Sequence, residues 1–197
     1  MERNLSVTAE ERRVVVNQLP LIRQISNEEH LRDMVIETWV RVWRESGYRD
    51  ISEAPNVRTE QGDDDSLVRH TNAVVRMVKA AAKEIQQVYG MNLNYDVLLA
   101  GAFLHDIDKL VVLQRKGNLV EFSELGHKVS HGDYGARVAE QIGLPPEVVN
   151  IIASHNYIIR PGAPVPVTIE AALLAYCDMA AFQAFHVMTG KGVYKFG

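Results

Sequence analysis

The sequence predicts an all-α protein, on the basis of two patterns. Apolar residues recur at steps of three and four, as in Val74, Val78 and Ile85, which is the spacing of one face of a helix. Residues that start and stop helices bracket these runs, such as Ser66 before the first and Gly90 after it. A strand pattern occurs at 111–122, and there it predicts a small β-hairpin.

The elements fall into two parts. We expect residues 1–60 to form an N-terminal helical extension and residues 61–197 to form the main domain. Capping boxes at Thr8 and Ser26 start the helices of the extension. The predicted helices are 8–18, 27–46, 67–89, 95–111, 130–142, 145–154 and 168–189. The turn-rich stretch 46–66 reads as a loop.

Composition limits the classes of function. The 197 residues are 47% hydrophobic and 23% charged, and the formal net charge of −4 gives no basic surface for nucleic acid. The single cysteine, Cys177, excludes an internal disulfide and fits a reducing compartment. The charged N-terminus is unlike a secretory signal. The apolar run 171–190 is interrupted by Asp178, so we expect a buried helix and no membrane span. A cytoplasmic protein is the expectation.

Six ionisable side chains lie on faces that are otherwise apolar. They are His70, His105, Asp106, His131, His155 and Asp178. A single buried histidine is usually satisfied by the core around it, but these faces carry few lysines or arginines, and a bound metal satisfies all six groups at once. Imidazole and carboxylate ligands suit Fe, Mn, Co, Ni or Zn, and suit Mg less well. The set is large enough for one or two divalent metals, with Asp106 as the bridge.

The ordered set resembles the HD-domain superfamily of metal-dependent phosphohydrolases. The matching residues are His70, the doublet His105-Asp106, and Asp178. The stretches "HGDYGA" at 131–136 and "IIASHN" at 151–156 resemble histidine elements of the members that bind two metals. The resemblance implies an HD-domain helical bundle over 66–190. It also implies one metal on His70, His105, Asp106 and Asp178, and a second on Asp106, His131 and His155.

The resemblance further implies an enzyme that cleaves a nucleotide or another small phosphoester with a metal-activated water. Asp106 and Lys109 would be its catalytic residues, since "HDIDK" at 105–109 matches a form in which the lysine faces the substrate phosphate. Arg160 is a further candidate for binding phosphate. His127, four residues before His131, is an alternative ligand. Asp108 stands where relatives often have a small residue, and no role is assigned to it.

Other functions stay open at this point. Some HD relatives are di-iron oxygenases, and others are lyases or hydratases. A non-catalytic module that binds metal or nucleotide is the third alternative. The expected partner is a small phosphorylated substrate. The apolar stripe of Trp39 and Trp43 predicts packing against the helical core or against a second copy of the chain, so a homodimer is also open.

Overall fold

Helices form nearly all of the regular structure, as the sequence predicts. The computed structural model describes residues 6–26, 29–59 and 65–195. Within these residues the helices are α1 Ala9–Gln18, α2 Glu29–Glu45, α3 Leu67–Tyr89, α4 Tyr95–Leu104, α5 Lys109–Val112, α6 Asp133–Ile142, α7 Pro146–Ser154 and α8 Ile169–Met188. The predicted hairpin is confirmed as strands β1 Leu113–Lys116 and β2 Leu119–Phe122, which pair antiparallel.

The core of the bundle lies among α3, α4, α7 and α8. Helix α4 is central, since it packs against α2, α3, α7 and α8, and every residue from Val97 to Leu104 is buried. The contact between α4 and α7 is especially close at Gly101. A Cβ atom placed on Gly101 would lie 2.4 Å from Cγ2 of Ile151, so only glycine lets the two helices approach this far.

The N-terminal helices share this hydrophobic core. Trp39 of α2 is fully buried, and its indole nitrogen donates a hydrogen bond to the carbonyl oxygen of Phe103 at 3.0 Å. Packing against the helical core, one of the two predicted alternatives for the tryptophan stripe, is therefore confirmed for Trp39. The indole of Trp43 donates to the Tyr48 carbonyl oxygen. The contact with Phe103 fixes the end of α4, which leads directly into the candidate site.

Several predicted helix ends are confirmed. Thr8 forms a capping box with Glu11, and the side chains of Asn94 and Thr168 cap α4 and α8. Gly90 follows α3 in the left-handed conformation, with φ of +66°, where a Cβ is disfavoured.

Other predicted ends differ or lie outside the described residues. Ser66 precedes α3 but makes no side-chain cap; its hydroxyl donates to the Ser52 carbonyl oxygen. The predicted capping box at Ser26 pairs it with Glu29, whose side chain lies outside the described part of the structure; the Ser26 backbone amide donates to Asp96. The predicted boundary between residues 60 and 61 likewise lies in the undescribed segment 60–64.

Helix α8 is less enclosed than the sequence predicts. It has one buried face, which includes Leu174, Cys177 and Phe185, while Tyr176 and Val187 are exposed. The prediction of a buried helix is therefore correct for one face only. By length and composition α8 is the one described helix that is apolar enough to cross a membrane. In its most apolar stretch of 18 residues, 33% of the residues are buried. Its buried face packs on α3, α4 and α7.

Candidate metal centre

The doublet His105-Asp106 lies in a turn and not inside a continuous helix. The predicted helix 95–111 ends at Leu104, and α5 begins only at Lys109. The ring nitrogen Nδ1 of His105 donates to the carbonyl oxygen of Ala102 at 2.8 Å, the acceptor that the Asp106 amide would use if the α-helix continued. The next backbone hydrogen bonds span three residues instead of four. The Ile107 amide donates to the Leu104 carbonyl oxygen, and the Lys109 amide donates to the Asp106 carbonyl oxygen. This turn aims the side chain of Asp106 into the bundle.

Only two of the six candidate ligands lie within helices. His70 is in α3 and Asp178 is in α8, whereas His155 directly follows α7. His131 precedes α6, which starts at Asp133 and not near residue 130 as predicted. The reason is Gly132, whose φ of +89° does not fit a helix. The predicted helices 95–111 and 130–142 therefore extend too far, over His105, Asp106 and His131, although the bundle still brings all six side chains together.

The first ligand group consists of His70, His105, Asp106 and Asp178. Nε2 of His70 lies 2.9 Å from Oδ1 of Asp178 and 3.3 Å from Oδ2 of Asp106. Nε2 of His105 lies 3.2 Å from the same Asp106 oxygen. The ligand atoms of these four residues all lie within 4.8 Å of one another. They converge on one point, as the ligands of a metal ion do.

The second ligand group consists of Asp106, His131 and His155. Nε2 of His131 lies 3.0 Å from Oδ1 of Asp106, and Nε2 of His155 lies 3.5 Å from that oxygen. Asp106 therefore turns Oδ2 towards the first ligand group and Oδ1 towards the second. This is the arrangement that a carboxylate needs in order to bridge two metals.

The hydrogen bonds made by the rings of the second ligand group fit a metal. Nδ1 of His155 donates to the carbonyl oxygen of Ile152 at 2.7 Å, and Nδ1 of His131 faces the carboxylate of Asp108 at 3.1 Å. In the neutral rings both Nε2 atoms then carry lone pairs, yet these atoms lie 3.1 Å apart. The buried Oδ1 of Asp106 beside them has no hydrogen bond of normal geometry. A cation at this point satisfies all three atoms.

Burial and ion pairing have opposite effects on the pKa values here. Burial disfavours the charged imidazole, but the carboxylates of Asp106 and Asp178 outweigh it and raise the pKa of His105 to about 10. Burial likewise disfavours the Asp106 carboxylate, yet Lys109 and His105 hold its pKa well below the ordinary value. For His155 burial prevails and lowers the pKa. Asp106 is therefore ionised at neutral pH, as a metal ligand must be.

The part of the chain that contains this centre matches a known protein family. The model of the HD domain matches residues 67–181, more than half of the chain. The chain belongs to the HD domain family. Divalent metals bind to HD domains, and both ligand groups lie within the matched residues.

Curated relatives of this HD protein carry names of phosphodiester-cleaving enzymes. The dihydroneopterin 2',3'-cyclic phosphate phosphodiesterase of Methanocaldococcus jannaschii is 30% identical over 133 residues, 66% of this chain and 52% of that protein. Ribonuclease Y of Thermotoga maritima is 30% identical over 121 residues, 61% of this chain and 19% of that protein. The aligned part thus spans about half of the first relative. No solved structure matches the chain.

Two of the candidate ligands at the HD site are partly exposed. The side chains of His70, His105 and Asp106 are at most 3% exposed, whereas those of His131 and Asp178 are 31% and 15% exposed. Solvent therefore reaches the centre past His131 and Asp178.

Lys109 and Arg160, the predicted phosphate ligands, both lie beside the HD site. The Lys109 ammonium donates to Oδ2 of Asp106 at 2.7 Å and to Oδ1 of Asn56 at 2.8 Å. The Arg160 guanidinium donates to the His131 carbonyl oxygen at 2.6 Å and to Asp133 at 3.0 Å. Lys109 thus contacts a predicted ligand directly, while Arg160 holds the segment that carries another.

The remaining histidines lie outside both ligand groups. His127, the alternative to His131, is exposed and packs edge-on against the ring of Phe122. His30 is exposed on α2, and His186 packs against Phe182 and Tyr194.

Three residues of the site had no place in the sequence prediction: Asn56, Asp108 and Asn156. Asp108 is fully buried against His131, and the side-chain amide of Asn156 donates to the His131 carbonyl oxygen at 3.0 Å. Asp108 had one usable signal, since a second aspartate in an apolar turn needs a partner. The asparagines had none, because nothing in their local sequence marks them as buried.

Proposed function

We propose that this HD protein is a metal-dependent phosphohydrolase that cleaves a nucleotide or another small phosphoester. The observation that carries the proposal is the position of Asp106, whose two carboxylate oxygens face two separate ligand groups. A pair of divalent cations bound there would supply a water of lowered pKa and positive charge for the phosphoryl oxygens. The names of both relatives, a phosphodiesterase and a ribonuclease, support a phosphodiester as the substrate class.

The donor set supports a transition metal. Four imidazoles and two carboxylates are offered across the two groups, and nitrogen-rich sites favour Fe, Mn, Co, Ni or Zn over Mg, which prefers oxygen ligands. Two metals are proposed because each Asp106 oxygen has its own set of histidines.

Lys109 supplies the second part of the proposal. Its ammonium lies 2.7 Å from Asp106, so a phosphate held at the centre is within its reach. There it would bind a non-bridging oxygen and favour the charge that develops during hydrolysis. A di-iron oxygenase acting on an uncharged substrate has less use for such a cation. Arg160 would bind a further phosphate only if its ion pair with Asp133 breaks.

Metal content measured by mass spectrometry tests the proposal first. Wild-type protein purified with Fe, Mn, Co, Ni and Zn present is expected to hold about two transition-metal equivalents per chain, and Asp106→Ala should lose them because both groups share that residue. His127→Ala, which changes an exposed histidine outside the site, is the matched control. A wild type that takes up no metal contradicts the proposal.

Activity is then measured on a panel of phosphoesters. The panel contains 2',3'-cyclic nucleotides, bis-p-nitrophenyl phosphate, p-nitrophenyl phosphate and a dinucleoside polyphosphate. Turnover that depends on metal and disappears in Asp106→Ala supports a phosphohydrolase. Metal-loaded protein that binds nucleotides without turnover supports the non-catalytic module instead, and iron with oxygen consumption supports an oxygenase.

A further inference from the structure

Asp108 makes a contact that the proposed chemistry has not used. It is fully buried, and both of its carboxylate oxygens lie 3.1 Å from Nδ1 of His131. Oδ2 also accepts a hydrogen bond from the Gly132 amide at 2.8 Å. One carboxylate thus holds both the ring of His131 and the backbone that follows it.

The contact decides which nitrogen of His131 is free. A carboxylate that is ionised only accepts hydrogen bonds, so Nδ1 of His131 must carry the proton. In the neutral ring the other nitrogen, Nε2, then presents its lone pair to the centre, where it lies 3.0 Å from Oδ1 of Asp106. Histidines that bind metals commonly donate their second nitrogen to a carboxylate or carbonyl, which fixes the tautomer and the ring orientation.

His131 depends on such a partner more than the other histidines do. His105 and His155 donate Nδ1 to carbonyl oxygens three residues earlier, in the helix that precedes each of them. His131 lies in a turn before α6, and its side chain is 31% exposed. No helix of its own provides an acceptor there. Its orientation therefore depends on a side chain that is 23 residues away in sequence.

The backbone at Gly132 packs closely against Ile152 and His155. Gly132 has a φ of +89°, and a Cβ atom there would lie 3.0 Å from the Ile152 carbonyl oxygen and 3.3 Å from Cε1 of His155. The hydrogen bond from the Gly132 amide to Asp108 keeps this turn against His155. Asn156 and Arg160 hold the same turn through the His131 carbonyl oxygen, and Asp108 is the side chain that also contacts the ring.

We propose that Asp108 is the positioning residue of the second ligand group, which holds His131 in the tautomer and orientation that bind the second metal. The inference rests on the proposed function, since it assigns Asp108 a role towards a metal of that centre. It gives the second aspartate of "HDIDK" a purpose separate from that of Asp106, which is itself a ligand. The first ligand group does not include His131, the ligand whose ring Asp108 contacts.

The variant Asp108→Asn tests this inference with little change in shape. The asparagine oxygen can still accept from the Gly132 amide, but the NH₂ group takes the other position 3.1 Å from Nδ1 of His131, where it opposes a proton on Nδ1. We expect the second metal to bind about 10- to 100-fold more weakly, while the first binds as in wild type. Asp133→Asn makes the same chemical change on an exposed side chain of the same segment and should retain both metals.

Titration with Co²⁺ or Zn²⁺, followed by isothermal calorimetry and metal analysis, separates the outcomes. Two equivalents in wild type and one tight equivalent in Asp108→Asn are the expected result, and His131→Ala should behave in the same way. Two equally tight equivalents in both wild type and Asp108→Asn overturn the inference alone. A wild type that binds no metal overturns the inference and the proposed function together.

A spectroscopic measurement on the wild type covers the case in which Asp108→Asn does not fold. In the zinc-loaded protein, long-range ¹H–¹⁵N correlation of the histidine rings should place the proton of His131 on Nδ1, slowly exchanging with solvent, and the metal on Nε2. A structural role for Asp108 alone makes no such demand on the tautomer. A proton on Nε2 of His131 in the zinc-loaded protein overturns the inference.

Discussion

The ammonium of Lys109 donates a hydrogen bond to the side-chain oxygen of Asn56 at 2.8 Å. Asn56 is 2% exposed and precedes the residues that match the HD domain model. The backbone amide of Asn56 donates to the backbone carbonyl oxygen of Asp65 at 2.7 Å, so hydrogen bonds hold both its backbone and its side chain. The segment before the matched domain thus reaches the HD site through the side chain of Asn56.

Replacing Asn56 is expected to lower activity without removing metal. In Asn56→Ala the Lys109 ammonium keeps Asp106 as an acceptor and loses the other, so it is held less well for a substrate phosphate. Hydrogen bonds to charged groups contribute about 1.5–3 kcal/mol, and we expect kcat/KM to fall about tenfold. Steady-state kinetics and metal analysis on the same preparation check this. Unchanged kinetics in Asn56→Ala, beside a strong loss in Lys109→Met, would show that Lys109 needs no support from Asn56.

Metal binding is expected to stabilise the fold. Six ionisable side chains converge in two buried groups, and a cation that binds only the folded protein raises its free energy of unfolding, by about 2.7 kcal/mol at a hundredfold excess over Kd. The melting temperature of chelator-treated protein should therefore rise on addition of Mn²⁺ or Zn²⁺. The rise should be smaller in Asp178→Asn, which changes a member of the first ligand group, and full in His127→Ala. Equal melting temperatures with and without metal would contradict the prediction.

The close contact of α4 with α7 predicts the effect of a single methyl group. Gly101→Ala places a Cβ atom 2.4 Å from Cγ2 of Ile151, so α7 must move, and overpacking of this kind costs about 1–3 kcal/mol. Chemical denaturation measures the loss. Gly47→Ala is the control, since no atom lies within 4 Å of its added Cβ, and it should be near neutral. Gly101→Ala combined with Ile151→Val should recover part of the stability; no recovery would place the strain elsewhere.

The pair formed by Glu11 and Arg44 predicts a loss of stability in acid. Two hydrogen bonds from Arg44, both of 2.7 Å, lower the pKa of Glu11 from 4.5 to about 2. The folded pKa is below the unfolded one, so the contribution is complete above about pH 4.5 and disappears as the pH falls towards 2. The pair is partly exposed, which limits the contribution to about 1 kcal/mol.

Unfolding by urea at several pH values measures this contribution. The difference in free energy of unfolding between wild type and Glu11→Gln should be largest at pH 7 and close to zero near pH 2. Glu10→Gln is the control, because the Glu10 side chain is 64% exposed. A difference that stays constant from neutral to acid pH would mean that Glu11 acts through something other than its charge.

The sequence by itself determined the helical class and singled out the candidate ligands. Thr8, Asn94 and Thr168 were recognisable as helix starts because a cap bonds the amide three residues later, an interaction contained in one turn of chain. His105 and Asp106 were recognisable because charged groups in an apolar run need a partner to be buried. Such signals are local, so no knowledge of the packing was needed to find them.

The tertiary structure decided which of these side chains touch and how they are oriented. Asp108 meets His131 across 23 residues and Asn56 meets Lys109 across 53, and no spacing rule within a helix or turn predicts either contact. The break of the helix at His105 also depends on a competition for the Ala102 carbonyl oxygen. A candidate ligand set follows from residue types, whereas the position of Asp106 between the two groups follows from distances that only the packed helices set.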